Sequence, residues 1–240
     1  EKMGSLPEDL HVTRKAGALV AISGGKVIHV GKPTVKYCPL FKALFGNTDV
    51  GKGSISKKFE KQFDMWGMFT CDRIVAEDRV IVPFGASEMM MYAIKRSVID
   101  CAVLVCEGAG TVITDNPSLV QGIGAYMNGA FYTSPVEGII EKIRKEGGRI
   151  LDAGTAGIDQ LAGAQKAVSL GYKDIAVTVR GDQDDIPERL RKLEKEEDAG
   201  ITILSVCNTG ISKKQAGIIR KYCDIAWACS SKYIWDTVGP

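Results

Sequence analysis

The side chains with reactive potential recur just after short apolar runs. Ala102-Val103-Leu104-Val105 gives way to Cys106-Glu107-Gly108-Ala109-Gly110. Four other segments break in the same manner, at Asp152-Ala153-Gly154-Thr155, Arg180-Gly181-Asp182, Cys207-Asn208-Thr209-Gly210 and Cys229-Ser230-Ser231-Lys232. A thiol becomes a nucleophile or a soft metal ligand once deprotonated. One chemistry these residues offer is attack by Cys106 or Cys229 on a small anionic metabolite. Glu107 would serve as acid/base and Lys232 would bind the anion. Gly108, Gly110, Thr155, Asn208, Thr209, Ser230 and Ser231 would line a bound cofactor, because glycines admit close backbone approach and small polar groups fix orientation. The plain structural alternative is that Asp152, Thr155 and Asn208 cap helices and the glycines only turn the chain.

Seven cysteines are present, with no Cys-x-x-Cys pair. Cys101 and Cys223 start or precede strands and read as small buried hydrophobes. Cys207 fits either class. Cys38, Cys71, Cys106 and Cys229 fall in turns or at strand ends. At least three of these four are expected to converge at the loop-rich edge and to hold an iron–sulfur cluster or zinc through soft thiolates. The missing close-spaced pair counts against this. His11 and His29 are the only histidines. Chemistry from Val30 onward therefore proceeds without imidazole, which excludes a Ser-His-Asp triad within that part. His29 alternates with Ile28 and Val30 and reads as a surface residue.

Gly46 to Ser54 nearly spells the phosphate loop G-x-x-x-x-G-K-[S/T]. Gly53 stands where a hydroxyl must bind magnesium, and Pro39 spoils the preceding strand. A surface loop is the expectation, with no nucleotide triphosphate bound. Asp64 to Phe69 brings Met65, Trp66, Met68 and Phe69 around one glycine. Such a segment packs in a core or docks a partner.

These groups need elements to position them. Strands are expected at Ala18–Ile22 and Lys26–Val30, joined by a Ser23-Gly24-Gly25 hairpin, and at Thr34–Tyr37 and Val80–Val82. From Asp100 the pattern becomes regular, with strands at Ala102–Cys106, Arg149–Asp152, Asp174–Val179, Thr202–Cys207 and Asp224–Cys229. Helices lie between them. Asn116-Pro117 reads as N-cap and first helical residue, while Ser134-Pro135-Val136-Glu137 and Ser212-Lys213-Lys214-Gln215 read as capping boxes. Further helices are expected at Ser56–Phe63, at Ser87–Val98, around Ile158 to Val168, and around Ile186 to Leu193. The fold expected is α/β. A small β-rich N-terminal portion (1–95) leads into a Rossmann-like domain (96–240), a three-layer, mostly parallel sheet with flanking helices. Ligands on such sheets sit beyond the carboxyl ends of the strands, where the reactive loops cluster.

Composition narrows the setting. The 240 residues can bury a sizeable core. A net charge of +2 gives no argument for nucleic acid or an anionic membrane. No apolar run approaches the roughly 18 residues of a membrane span. The polar N-terminus lacks a signal-peptide core, and an odd cysteine count without framework spacing fits a reducing, cytoplasmic setting.

Several segments together resemble one family. They are Tyr37-Cys38-Pro39-Leu40-Phe41, Thr70-Cys71-Asp72-Arg73, the run from Ala102 to Pro117 with Leu119 to Gly124 after it, and Ile158-Asp159-Gln160. Asp174 to Val179, Asn208-Thr209-Gly210-Ile211-Ser212 and Cys229 to Ile234 complete the set. They are similar to methanogenesis marker protein 8, over most of the chain from about Leu10 onward. The resemblance implies methanogenic archaea, an anaerobic cytoplasm, and a part in the maturation or activation of methyl-coenzyme M reductase, with that enzyme or its maturation factors as partners. It transfers no catalytic residue. Its cysteine-bearing segments fall on Cys38, Cys71, Cys106 and Cys229. Three functions follow as expectations: an accessory protein of methanogenesis binding a metal cluster or cofactor, a cysteine-dependent enzyme, or an interaction module docking through Asp64 to Phe69.

Overall fold

A computed structural model describes residues 7–35, 50–126 and 129–238. Strand β1 (His11–Lys15) turns through Ala16-Gly17 into β2 (Ala18–Ser23), and Gly24-Gly25 carries β2 into β3 (Lys26–Val30). The pleat puts Ala18, Val20 and Ile22 inward and leaves Leu19 on the outer face. Helix α1 (Lys52–Trp66) covers the inner face with Ile55 and Phe59. It is longer than the Ser56–Phe63 expectation and ends at Gly67, whose φ of 60° closes the last turn. The expected strand from Thr34 does not form at residues 34–35, and its remainder lies outside the described residues, as do Gly46 to Asp49.

After α2 (Ala86–Lys95) come β4 (Cys101–Cys106), β5 (Gly110–Thr114), α3 (Pro117–Gly124), β6 (Ala130–Thr133) and α4 (Glu137–Lys145). Then follow β7 (Arg149–Ile150), α5 (Gln160–Ser169), β8 (Asp174–Arg180), α6 (Ile186–Glu196), β9 (Gly200–Val206), α7 (Lys213–Tyr222), β10 (Ile225–Ala226) and α8 (Lys232–Val238). A six-stranded sheet runs β10-β9-β8-β4-β5-β7. Its β10/β9, β9/β8 and β8/β4 pairings are parallel, and β4/β5 and β5/β7 are antiparallel. Leu104, Val112, Leu119, Ile123, Ile139 and Ile143 pack on one face beneath α2, α3 and α4. Val103, Ile113, Leu161, Ala164, Val177 and Leu190 pack on the other beneath α5 and α6. The protein is thus the expected α/β fold, a three-layer, mostly parallel sheet with a β-rich N-terminal part.

Local expectations hold where a cap decides them. Asn116 Oδ1 accepts from the Ser118 and Leu119 amides, and Ser212 with Gln215 makes its capping box. Ser134 does not cap α4. Its hydroxyl is taken by both backbone groups of Leu10, which joins β6 to the start of β1. Val80–Val82 is not a strand, because the Glu88 carboxylate holds the Ile81 and Val82 amides in a bent loop. The Glu107-Gly108-Ala109 loop does not lead to a helix. It is a hairpin turn into β5, with Cys106 opposite Gly110.

The four-stranded sheet has the order β3-β2-β1-β6, all three pairings antiparallel. Its fourth strand comes from residues 130–133, so the N-terminal hairpins are completed by chain from beyond residue 95. Arg14 and Arg180 rivet the two sheets together. Both guanidiniums bond Asp182, and both lie over Phe131, at 5.3 and 3.9 Å from the ring centre. Arg14 also donates to the Cys207 carbonyl, and Arg180 to that of Ala130.

Candidate functional site

β4, β8, β9 and β10 run parallel, so Cys106-Glu107, Arg180-Gly181-Asp182, Cys207-Asn208-Thr209 and Cys229-Ser230-Ser231 leave one edge of the sheet, as the sequence placed them. Cys106 is fully buried. Burial, and then the Glu107 charge, push its thiol well above the usual range, and Arg73 opposes this. Glu107 is itself sealed and ion-paired with the Nε of Arg73. Arg73 is wholly buried, donates to the carbonyls of Ile74 and Gly122, and lies over Tyr126. Cys106 and Glu107 therefore lack the solvent access that a nucleophile and an acid/base need.

The glycines beside them serve packing. A β-carbon on Gly108 would meet Ile139 at 2.6 Å, and one on Gly110 would meet the Ala156 carbonyl oxygen at 2.3 Å. Thr155 bonds the Asp152 carboxylate in an exposed turn. Asn208 is buried and spends its amide on Ser205 and on the Trp227 carbonyl. The Thr209 hydroxyl accepts from the Ser230 amide, and the Ser231 hydroxyl from that of Ile234. Lys232 is exposed, over the Tyr233 ring.

Cys38 lies outside the described residues. Cys71 is exposed and packs on Gly138 of α4. Cys106 and Cys229 leave the same edge, but the β8 and β9 strands lie between β4 and β10. Three strand spacings amount to roughly 14 Å, beyond the reach of a shared ion. Among the described residues no group of three or more His, Cys, Asp or Glu side chains is placed to hold a metal ion. What the edge does bring together are the two loops that carry Cys207 and Cys229.

Sequence reasoning missed two features. His11 returns to the edge through the β1–β6 pairing, opposite Thr133. Its Nδ1 lies 2.6 Å from Thr133 Oγ1, which accepts the Gly108 amide at 2.7 Å. The Thr133 hydroxyl can donate to Nδ1 or to the Ser134 carbonyl at 3.4 Å, and the tautomer of His11 follows that choice. Nε2 is 2.7 Å from Asp9 Oδ1, close but poorly aligned for a hydrogen bond. Burial lowers the His11 pKa, while Asp9 and Glu107 oppose it. The signal available in the sequence was the alternation of His11 with Val12 and Thr13 in a β-prone run.

The second feature is an exposed apolar surface. Val80, Ile81, Phe84, Met89 and Tyr92 all face solvent, Phe84 with 70 % of its surface. The loop that displays them is firmly held. Glu88, nearly buried, binds the Ile81 and Val82 amides and Gln121 Nε2. Gln121 also donates to the Arg79 carbonyl, and Trp227 Nε1 donates to that of Phe84. By contrast, in the segment read as a docking element Met68 and Phe69 are core residues, and Trp66 stacks on Tyr126 at 4.2 Å.

Fold and edge together define a class: a three-layer α/β protein whose sheet is capped at its carboxyl edge by an antiparallel sheet. The chain belongs to the family described as an uncharacterized protein conserved in archaea (DUF2099), which matches residues 11–240. It is 44% identical over 227 residues to the uncharacterized protein MJ0054 of Methanocaldococcus jannaschii, covering 94% of this chain and 79% of that one. No solved structure matches it. Among the described residues no helix is long and apolar enough to cross a membrane.

Proposed function

We propose that this archaeal protein is a cytoplasmic accessory factor of methanogenesis that works by docking on another protein, methyl-coenzyme M reductase or one of its maturation factors. The observation that carries this is the anchored apolar loop. Glu88 and Gln121 are buried polar groups spent on holding a loop whose own side chains are not buried. Several exposed large apolar side chains on one short stretch of chain are the kind of surface that meets another protein. The rim carries both signs of charge, Arg79 paired with Glu77 and Lys95 with Asp78, around the exposed apolar side chains. The partner's identity rests on the resemblance to methanogenesis marker protein 8 and on the archaeal family. The enzyme alternative loses support at Cys106 and Glu107, which solvent does not reach.

The test is affinity capture from an anaerobic methanogen extract, with retained proteins identified by mass spectrometry. Subunits of methyl-coenzyme M reductase or its assembly factors are retained by the native chain and lost with Phe84→Asp. They persist with Trp235→Asp, a change at an exposed aromatic on α8. Equal retention by all three chains, or retention of none of these proteins, contradicts the proposal.

A further inference from the structure

We propose that Cys207 and Cys229 form a two-thiolate site for a soft, closed-shell monovalent metal ion of the Cu(I) class, at the carboxyl ends of β9 and β10. Register brings the two together. The parallel pairs Leu204↔Ile225 and Ser205↔Ala226 place the chain after β9 beside the chain after β10. The Trp227 amide donates to the Ser205 carbonyl, extending that match. Two side-chain bonds then tie the loops to each other: Asn208 Nδ2 to the Trp227 carbonyl at 2.8 Å, and the Ser230 amide to Thr209 Oγ1 at 3.4 Å. Cys207 follows Ser205 by two residues and Cys229 follows Ala226 by three.

Both cysteines have left-handed backbone, with φ of 56° and 52°. Residues with a β-carbon avoid this region, and where they hold it the surroundings fix them there. The same left-handed turn is thus repeated at the ends of two neighbouring strands. Cys229 is exposed and Cys207 half-buried, which gives an ion a route from solvent. Gly129, whose missing side chain leaves its nearest neighbour as Cys207 Sγ, closes the other side.

Charge and donor type select the ion. Thiolates are soft and favour Cu(I), which accepts two-coordinate sulfur. The nearby carboxylate, Asp182, is engaged by Arg14 and Arg180. A tetrahedral zinc site would need further ligands that the described residues do not bring here. Binding is proton exchange without redox: two thiols release two protons to solvent, two copper–sulfur bonds form, and copper stays Cu(I). The bis-thiolate complex carries one negative charge. Burial, and then the neighbouring Cys229 sulfur, raise the Cys207 thiol to about 11, so the ion must displace its proton; the Lys15, Arg14 and Arg180 charges oppose that rise and offset the charge of the complex.

The experiment is anaerobic titration of the whole chain with Cu(I), against a colorimetric Cu(I) chelator, followed by X-ray absorption at the copper edge. One Cu(I) per chain with two sulfur neighbours is expected. Cys207→Ser and Cys229→Ser each abolish retention against the chelator, while Cys71→Ser and Cys38→Ser leave it unchanged. Cys229 is exposed, so its serine variant keeps the native melting temperature and separates lost binding from lost fold. No retained copper in the native chain, copper that survives Cys229→Ser, or copper lost with Cys38→Ser overturns the proposal.

Discussion

His11 Nδ1 and Thr133 Oγ1 lie 2.6 Å apart across 122 residues of chain, buried between the two sheets. Thr133 passes the contact on to the Gly108 amide, so one imidazole joins the first strand to the β4–β5 hairpin. The pair is a seam, and it makes the fold pH-sensitive in a stated direction. Burial lowers the folded pKa of His11 from its ordinary 6.5, against the pull of Asp9 and Glu107. Below 6.5 the unfolded chain takes up a proton that the folded chain refuses. The stability His11 contributes is present above that value, falls as pH drops toward the lower folded pKa, and is gone below it. The slope contributed is at most about 1.4 kcal/mol per pH unit. Urea unfolding between pH 8 and 5 reads it out, and His11→Gln flattens the curve in that window. Paired carboxylates such as Glu77, held down to about 2 mainly by its Arg79 hydrogen bonds, act only at lower pH.

Breaking the buried Arg73–Glu107 pair leaves a charge with no partner. Arg73→Met or Glu107→Gln is expected to cost about 3–5 kcal/mol. The double change Arg73→Met with Glu107→Gln costs less than the sum of the single changes, because it strands no charge. Chemical denaturation of the four proteins in the cycle measures the coupling. Additive losses would show that the pair does not interact.

Two glycines separate backbone strain from collision. Gly147 has φ of 82° and open space around its missing β-carbon, so Gly147→Ala costs only the left-handed strain, about 1–2 kcal/mol. Gly110 has φ of 72° and the Ala156 carbonyl oxygen at 2.3 Å, so Gly110→Ala costs distinctly more. Melting temperatures of the two variants rank them; equal shifts would mean that the β5 loop yields freely.

The anchoring of the apolar loop is testable without a partner. Glu88→Ala removes the shared acceptor of the Ile81 and Val82 amides. Hydrogen exchange at those two amides is expected to rise by about tenfold or more, since each hydrogen bond contributes on the order of 1–3 kcal/mol when its acceptor is charged. Exchange at β4, covered on both faces, stays slow. Unchanged protection at residues 81 and 82 would mean that something other than Glu88 holds them.

What was legible in the sequence is what short-range pattern decides. The apolar run Ala102 to Val105 reads as a strand covered on both faces, and Asn116-Pro117 and Ser212 with Gln215 read as helix starts, each confirmed by its own local bonds. Val80-Ile81-Val82 has the composition of a strand, but a carboxylate seven residues away takes its amides, which no propensity records. Ser134 has the form of a cap, yet Leu10 claims its hydroxyl from 124 residues away. β5 was hidden behind two glycines that read as a ligand loop. The cysteines were sorted by local context, which placed Cys229 at the edge but left Cys207 open. Only the neighbouring of β9 and β10 sets their two loops side by side.

The proposed contact of the surface around Phe84 with methyl-coenzyme M reductase or its assembly factors can be trapped in the cell. The most direct measurement installs a photo-crosslinking amino acid at Phe84, and separately at Trp235, in a living methanogen, and identifies the products by mass spectrometry. Adducts to those proteins are expected from position 84 and none from position 235. Position 84 yielding no adduct, or the same adducts as position 235, would contradict it.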